Sequence, residues 1–126
     1  MRGIRFAVCA VAVAWLLLPV ARAEEGAGNS NPYTGDPEAI AEGAKLYKRL
    51  NCYACHGAAG GGGMGPSLSD DQWQQGDGDD SSLLVQVLEG RAAMPAFGAV
   101  IGEDEAWKVI AFVRTLYKGD PERVTW

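Results

Sequence analysis

Cys52-Tyr53-Ala54-Cys55-His56 decides how this 126-residue chain is read. Two thiols separated by two residues, followed at once by an imidazole, form the attachment signature of a c-type haem. Each thiol adds to one porphyrin vinyl group. Two intervening residues on a helix-end turn match the separation of the vinyls, and His56 is then placed to give its Nε2 to iron. The competing readings of the same residues ask for features the chain lacks. A dithiol redox motif follows a strand in a βαβ unit, whereas a helical pattern leads into Cys52. A structural zinc centre needs four ligands, and beyond the leader only Cys52, Cys55 and the single His56 are of the usual kind. A disulfide between Cys52 and Cys55 would close a very short loop, with little entropic effect.

Iron so held needs a sixth ligand, a water or an open position. With no second His, a thioether is the candidate. Met64 lies eight residues beyond His56, in a loop that starts on the His side of the ring. Met94 lies 38 residues beyond it, past a helical segment and followed by Pro95, so the chain has the length to reach the other face. The geometry favours Met94, while the ordinary use of a lone Met is core packing.

Upstream, Arg2 and Arg5 precede an apolar run from Phe6 to Val20, and Ala21-Arg22-Ala23 offers a small-x-small cleavage site. The run is too short for the roughly 20 residues that span a bilayer. Residues 1–23 are therefore expected to be a cleaved signal peptide that takes the third cysteine, Cys9, with it. The mature protein is expected in the periplasm, with no stable membrane insertion. Lys+Arg number 11 against 16 Asp+Glu, a net charge of −5, and the leader removes three of the cations. An acidic chain of this kind is not built for nucleic acid. What remains is one domain, with a core small enough for a bound cofactor to help fill it.

The rest of the chain is helical in pattern. Residues 24–36 read as an irregular arm with turn chemistry. Asp36-Pro37 starts a helix to about Asn51, with Ile40, Ala44, Tyr47 and Leu50 on one face. Gly57 to Gly65 is a loop with four glycines in a row. A phosphate-binding reading fails because a helix precedes it and Met64-Gly65-Pro66 follows. Ser81 or Ser82 is expected to cap a short helix closed by Gly90. Gly102-Glu103-Asp104-Glu105 opens the last helix, with Trp107, Ile110, Ala111, Val113 and Leu116 as its stripe. Asp77, Asp79 and Asp80 lack the full calcium-loop pattern and read as a solvated acidic loop. The domain spans 37–118, with a tail at 119–126.

Together these features resemble the class I c-type cytochromes. The residues that carry the resemblance are Gly43 and Tyr47 in the first helix, Cys52 to Gly57, Gly65-Pro66-Ser67-Leu68, Met94-Pro95-Ala96-Phe97, and the closing Trp107–Leu116 helix. The resemblance implies an all-α class I cytochrome c fold, three to four helices around one covalent haem c. It implies that the first and last helices cross with Gly43 near Phe112, and that the Pro66 carbonyl accepts the His56 Nδ1–H, which fixes the tautomer. More narrowly, the Asn31–Asp36 arm, the Gly60–Met64 loop and the Met94–Gly98 run are similar to periplasmic cytochromes that accept electrons from PQQ-dependent alcohol or methanol dehydrogenases.

The function expected is single-electron transfer, not catalysis. Cys52 and Cys55 hold the haem, and His56 and Met94 saturate the iron. The narrower resemblance implies a PQQ-dependent alcohol dehydrogenase as donor and an oxidase or another cytochrome as acceptor. The alternatives are a general donor to a terminal oxidase, or a haem enzyme or ligand sensor with an open distal site. Arg91 fits either a haem propionate, held bidentately, or solvent. Trp73 fits either a propionate contact through its indole N–H or plain packing.

A domain this small loses much of its burial without the cofactor. Deleting residues 1–23 should therefore keep the chain from export and haem attachment and yield colourless, protease-sensitive protein. A compact haem-free form with native-like near-ultraviolet dichroism would contradict this.

Overall fold

The computed structural model describes residues 30–119. The leader, the start of the arm and the end of the tail lie outside them. Four helices follow in order: α1 (Pro37–Arg49), α2 (Cys52–His56), α3 (Asp80–Glu89) and α4 (Glu103–Arg114), and no strand occurs among the described residues. The architecture is all-α.

Local chemistry explains each start. The Asp36 carboxylate accepts the Glu38 and Ala39 N–H groups at 2.9 and 3.2 Å, and Pro37 supplies a first residue that has no N–H to satisfy. The cap of α3 differs from the expected Ser81 or Ser82. It is Asp79, whose Oδ1 takes the Ser82 N–H at 2.6 Å and the Ser81 hydroxyl at 2.7 Å. A carboxylate two and three residues ahead of the serines outcompetes them because it accepts from both at once. The Ser82 N–H, chiefly, holds the Asp79 carboxyl down at about 2. The cap's electrostatic contribution is complete above the ordinary carboxylate pKa and is lost as pH falls below it toward about 2. Acids in the first turn of α4 meet the positive end of its dipole.

α1 and α4 pack against each other as the central pair. At their crossing a Cβ on Gly43 would stand 1.9 Å from the Lys108 carbonyl oxygen and 3.0 Å from Phe112 Cβ. The buried face of α1 is Ala39, Gly43, Leu46 and Tyr47, not the expected Ile40, Ala44, Tyr47 and Leu50. The face turns because contact centres on the bare backbone of Gly43, a residue that a hydropathy pattern does not count as apolar. On α4 the buried residues are Ala106, Val109, Ile110, Ala111 and Val113. Trp107 sits half-buried and donates its indole N–H to Glu103 at 3.2 Å. Leu46, Tyr47, Val109 and Val113 form the core, with the Tyr47 ring edge-on to Phe112 at 5.3 Å.

The acidic loop needs a second correction. Asp80 is 1% exposed, not solvated. It is the first residue of α3, and its Oδ1 takes Arg114 Nε at 2.8 Å and Nη2 at 2.5 Å. The Asn31 N–H donates to Oδ2 at 2.8 Å. The arm is thus fastened to both α3 and α4, and the Tyr33 hydroxyl adds a short hydrogen bond to Asp104.

Gly43→Ala should lower the stability of the haem-loaded protein by roughly 1–3 kcal/mol, the usual cost of overpacking. Gly61→Ala, where an added Cβ meets nothing within 4 Å, should stay within about 0.5 kcal/mol. Urea unfolding monitored by far-ultraviolet dichroism checks this, and equal midpoints for the two variants would refute the packing argument.

Candidate functional site

One residue of left-handed backbone, Asn51 with φ 62°, reverses the chain between the cap of α1 and the start of α2. The single turn of α2 then presents Cys52, Cys55 and His56. The buried Tyr47 hydroxyl donates to the Gly57 carbonyl at 2.8 Å and fastens the far end of that turn to α1. Burial, and after it the neighbouring Cys52, pushes the Tyr47 phenol up to about 12, so it stays a donor. The glycine loop folds back under α2. Gly62 N–H donates to the His56 carbonyl at 2.8 Å, and Gly65 N–H to the Cys55 carbonyl at 2.9 Å.

His56 Nδ1 lies 2.8 Å from the Pro66 carbonyl oxygen. A carbonyl only accepts, so Nδ1 carries a proton, and in the neutral ring Nε2 keeps its lone pair. Gly65 lies flat against the ring: a Cβ there would come within 2.8 Å of Cε1 and 3.0 Å of Nδ1. The imidazole is therefore fixed in both tautomer and orientation.

These groups open onto a cavity of about 450 Å³. Its walls are Tyr47 from α1 and Leu50 at its C-cap, Leu83 and Val87 from α3, Val109, Ile110 and Val113 from α4, and Met94, Pro95 and Phe97 from the loop between α3 and α4. That loop is tightly made. Arg91 and Met94 exchange backbone hydrogen bonds at 3.0 and 2.9 Å around Ala92, whose φ is 50°, and the Phe97 N–H reaches the Val87 carbonyl at 3.0 Å. Met94 is half-buried on the wall. Met64 also borders the cavity but is 85% exposed. Arg91 is exposed and Trp73 half-buried, and both border the cavity.

The donor set fits a covalent haem. Cys52 and Cys55 are unpaired, and burial raises the Cys52 thiol pKa. Such a site disfavours a thiolate but accommodates an uncharged thioether. Among the described residues no group of three or more His, Cys, Asp and Glu is disposed to hold a metal ion. The lining carries no carboxylate, and Arg91 is its one full cation. All four glutamines of the chain, Gln72, Gln74, Gln75 and Gln86, border this cavity. The sequence reading passed over them, although the Gln72-Trp73-Gln74-Gln75 run in a chain otherwise so poor in glutamine was a visible signal. It also passed over the Asp80–Arg114 pair, for which the sequence carries no signal.

Residues 38–113 match the family described as cytochrome c oxidase, cbb3-type, subunit III. The chain is 36% identical to a cbb3-type cytochrome c oxidase subunit FixP of Rhizobium etli, over 60% of this chain and 29% of that protein. It is 32% identical to cytochrome c6 of Thermosynechococcus vestitus, over 84% of this chain and 85% of that one. Among solved structures, cytochrome cL of Hyphomicrobium denitrificans superposes with a TM-score of 0.69 at 29% identity, over 75% of this chain and 57% of that one. The chain thus spans under a third of the oxidase subunit and little more than half of the cytochrome cL chain. No helix among the described residues is long and apolar enough to cross a membrane.

The two methionines are separable by substitution. Met94→Ala should let the reduced protein bind carbon monoxide at neutral pH, whereas Met64→Ala should leave the distal position closed. The opposite pattern in absorption or magnetic circular dichroism would reassign the ligand.

Proposed function

The chain belongs to the class I c-type cytochromes, and from that premise we propose that it is a periplasmic one-electron carrier reduced by a PQQ-dependent alcohol dehydrogenase. Bound haem c supplies the one-electron couple. Cys52 and Cys55 anchor it through thioethers, and His56 Nε2 and the Met94 sulfur ligate its iron. Pro66 keeps the proton on His56 Nδ1 and strengthens the imidazole as a ligand. Thioether ligation and an apolar surround both favour the reduced state. Tyr47, Val109, Ile110 and Val113 keep water from the haem. Arg91 and Trp73 border the cavity and would stand beside a haem bound there.

The observation that carries the carrier reading is the set of residues around one apolar cavity: two unpaired thiols, an imidazole with a free Nε2 and a half-buried thioether. A site filled by two protein ligands to iron transfers electrons and leaves no position for substrate. The dehydrogenase as donor is supported by the backbone likeness to cytochrome cL, and by the resemblance of the arm, glycine-loop and Met94–Gly98 runs to cytochromes reduced by such enzymes. A second reading, delivery of electrons within or to a terminal oxidase, has the oxidase-subunit likeness in its favour.

Stopped-flow mixing with a reduced PQQ-dependent alcohol dehydrogenase separates the two. Rapid second-order reduction of the haem is expected, and reduction no faster than by an unrelated quinoprotein would leave the oxidase reading. Ala58, Ala59 and the glycines after them are small and uncharged beside the attachment site, and Ala59 is exposed. Ala59→Glu should lower that rate by roughly threefold or more without altering the spectrum, because a charge placed at a small apolar contact must be desolvated or repelled.

A further inference from the structure

Trp73 is gripped by two groups that do not themselves border the cavity. On one side is Gly78, with φ +78°. A Cβ there would lie 2.2 Å from indole Cδ1 and Nε1 and 2.5 Å from Cε2, so only bare backbone fits against the ring. The guanidinium of Arg114 stands 5.4 Å from the ring centroid, within cation–π range. The two grips are joined, because Arg114 Nη2 donates to the Gly78 carbonyl at 2.7 Å.

Arg114 is held in turn by Asp80, the side chains being only 8% and 2% exposed. Both carboxylate oxygens are engaged, Oδ1 by the guanidinium and Oδ2 by the Asn31 N–H. Asn31 is itself buried, and its Nδ2 donates to the Trp107 carbonyl at 2.7 Å. A fixed order of contacts therefore runs from the arm, through α3 and α4, to one indole ring. Of Asn31, Asp80, Gly78, Arg114 and Trp73, only Trp73 borders the cavity. Buried ion pairs contribute little net stability compared with apolar packing of the same volume. What this pair adds is direction: a planar fork set at a fixed distance from a planar ring.

We propose that the Asn31–Asp80–Arg114 chain is a positioning device for the haem wall, which fixes the plane of Trp73 and so tunes the haem's midpoint potential from outside the cavity. Trp73 meets the haem, and Arg114 and Asp80 act only through Trp73. The proposal rests on the carrier reading above. It makes the arm, which touches no cavity residue through these bonds, part of the redox site.

The test uses the haem-loaded protein and a replacement neutral in charge. Asp80→Asn together with Arg114→Gln is made both in the wild-type chain and in the Trp73→Phe background. Midpoint potential and Soret circular dichroism are read, and the urea midpoint is followed separately. The double replacement is expected to shift potential and Soret dichroism in the presence of Trp73 and to shift neither in the Trp73→Phe background. Equal shifts in both backgrounds would overturn the proposal, because the pair would then act without the indole. No shift in either, with lowered stability, would reduce the pair to a structural role and overturn it as well. If the double replacement does not fold, Gly78→Ala displaces the ring without changing any charge, and an unmoved potential and Soret band in that variant would be equally fatal. A wild-type protein without a c-type haem spectrum would overturn the carrier reading itself, before any variant is compared.

Discussion

Gly43 has no side chain, and the Lys108 carbonyl stands where one would be. That close approach lets α1 and α4 meet backbone to backbone, and the other parts are placed from the pair. Leu46 and Tyr47 reach Val109 and Val113 to make the core, while Leu50, Cys52, Leu68 and Phe112 pack around it. Lys108 braces the same crossing from outside, 2.9 Å from both Glu42 and Asp104. Both carboxylates strengthen its hold on the proton, but exposed pairs of this kind contribute little. Close packing at the glycine is what sets the distance between the helices, and with it the width of the cavity's back wall.

The motif at residues 52–56 and the caps at Asp36 and Gly102–Glu105 were legible because each is a local pattern with its own chemistry. Periodicity located α1, α3 and α4 but misjudged the face of α1. A pattern of apolar residues shows that a stripe exists, while the residue at its centre depends on the facing helix. Here that residue is a glycine. Asp80 was unreadable for a related reason. An acid within a run of acids looks solvated, and only the fold brings Arg114 and the Asn31 N–H to it from 34 residues downstream and 49 upstream. The contest over capping α3 was decided by a difference of two or three residues, at which sequence signals for Ser and Asp overlap.

The electrostatic character of the site follows from who borders it. Thiols, an imidazole, thioethers and aliphatic side chains make up most of the wall. Its polar part is largely amide, from four glutamines, with Arg91 as the single cation. No acid borders it, and several of the acids among the described residues serve as caps, in first turns and in ion pairs. A site built this way carries few fixed charges of its own.

The crossing that organises the fold also makes it slow to find. Gly43 and Lys108 are 65 residues apart, so the central contact requires closing most of the domain into one loop. Loop closure of that length must be met before any contact rewards it, and folding rates fall as contacts become more distant in sequence. A rigid plate tethered at Cys52 and Cys55 changes the search. It would carry apolar surface to which Val109 and Val113 can attach early, replacing one long closure with two shorter ones. Attachment before collapse would then let the cofactor serve as the folding nucleus.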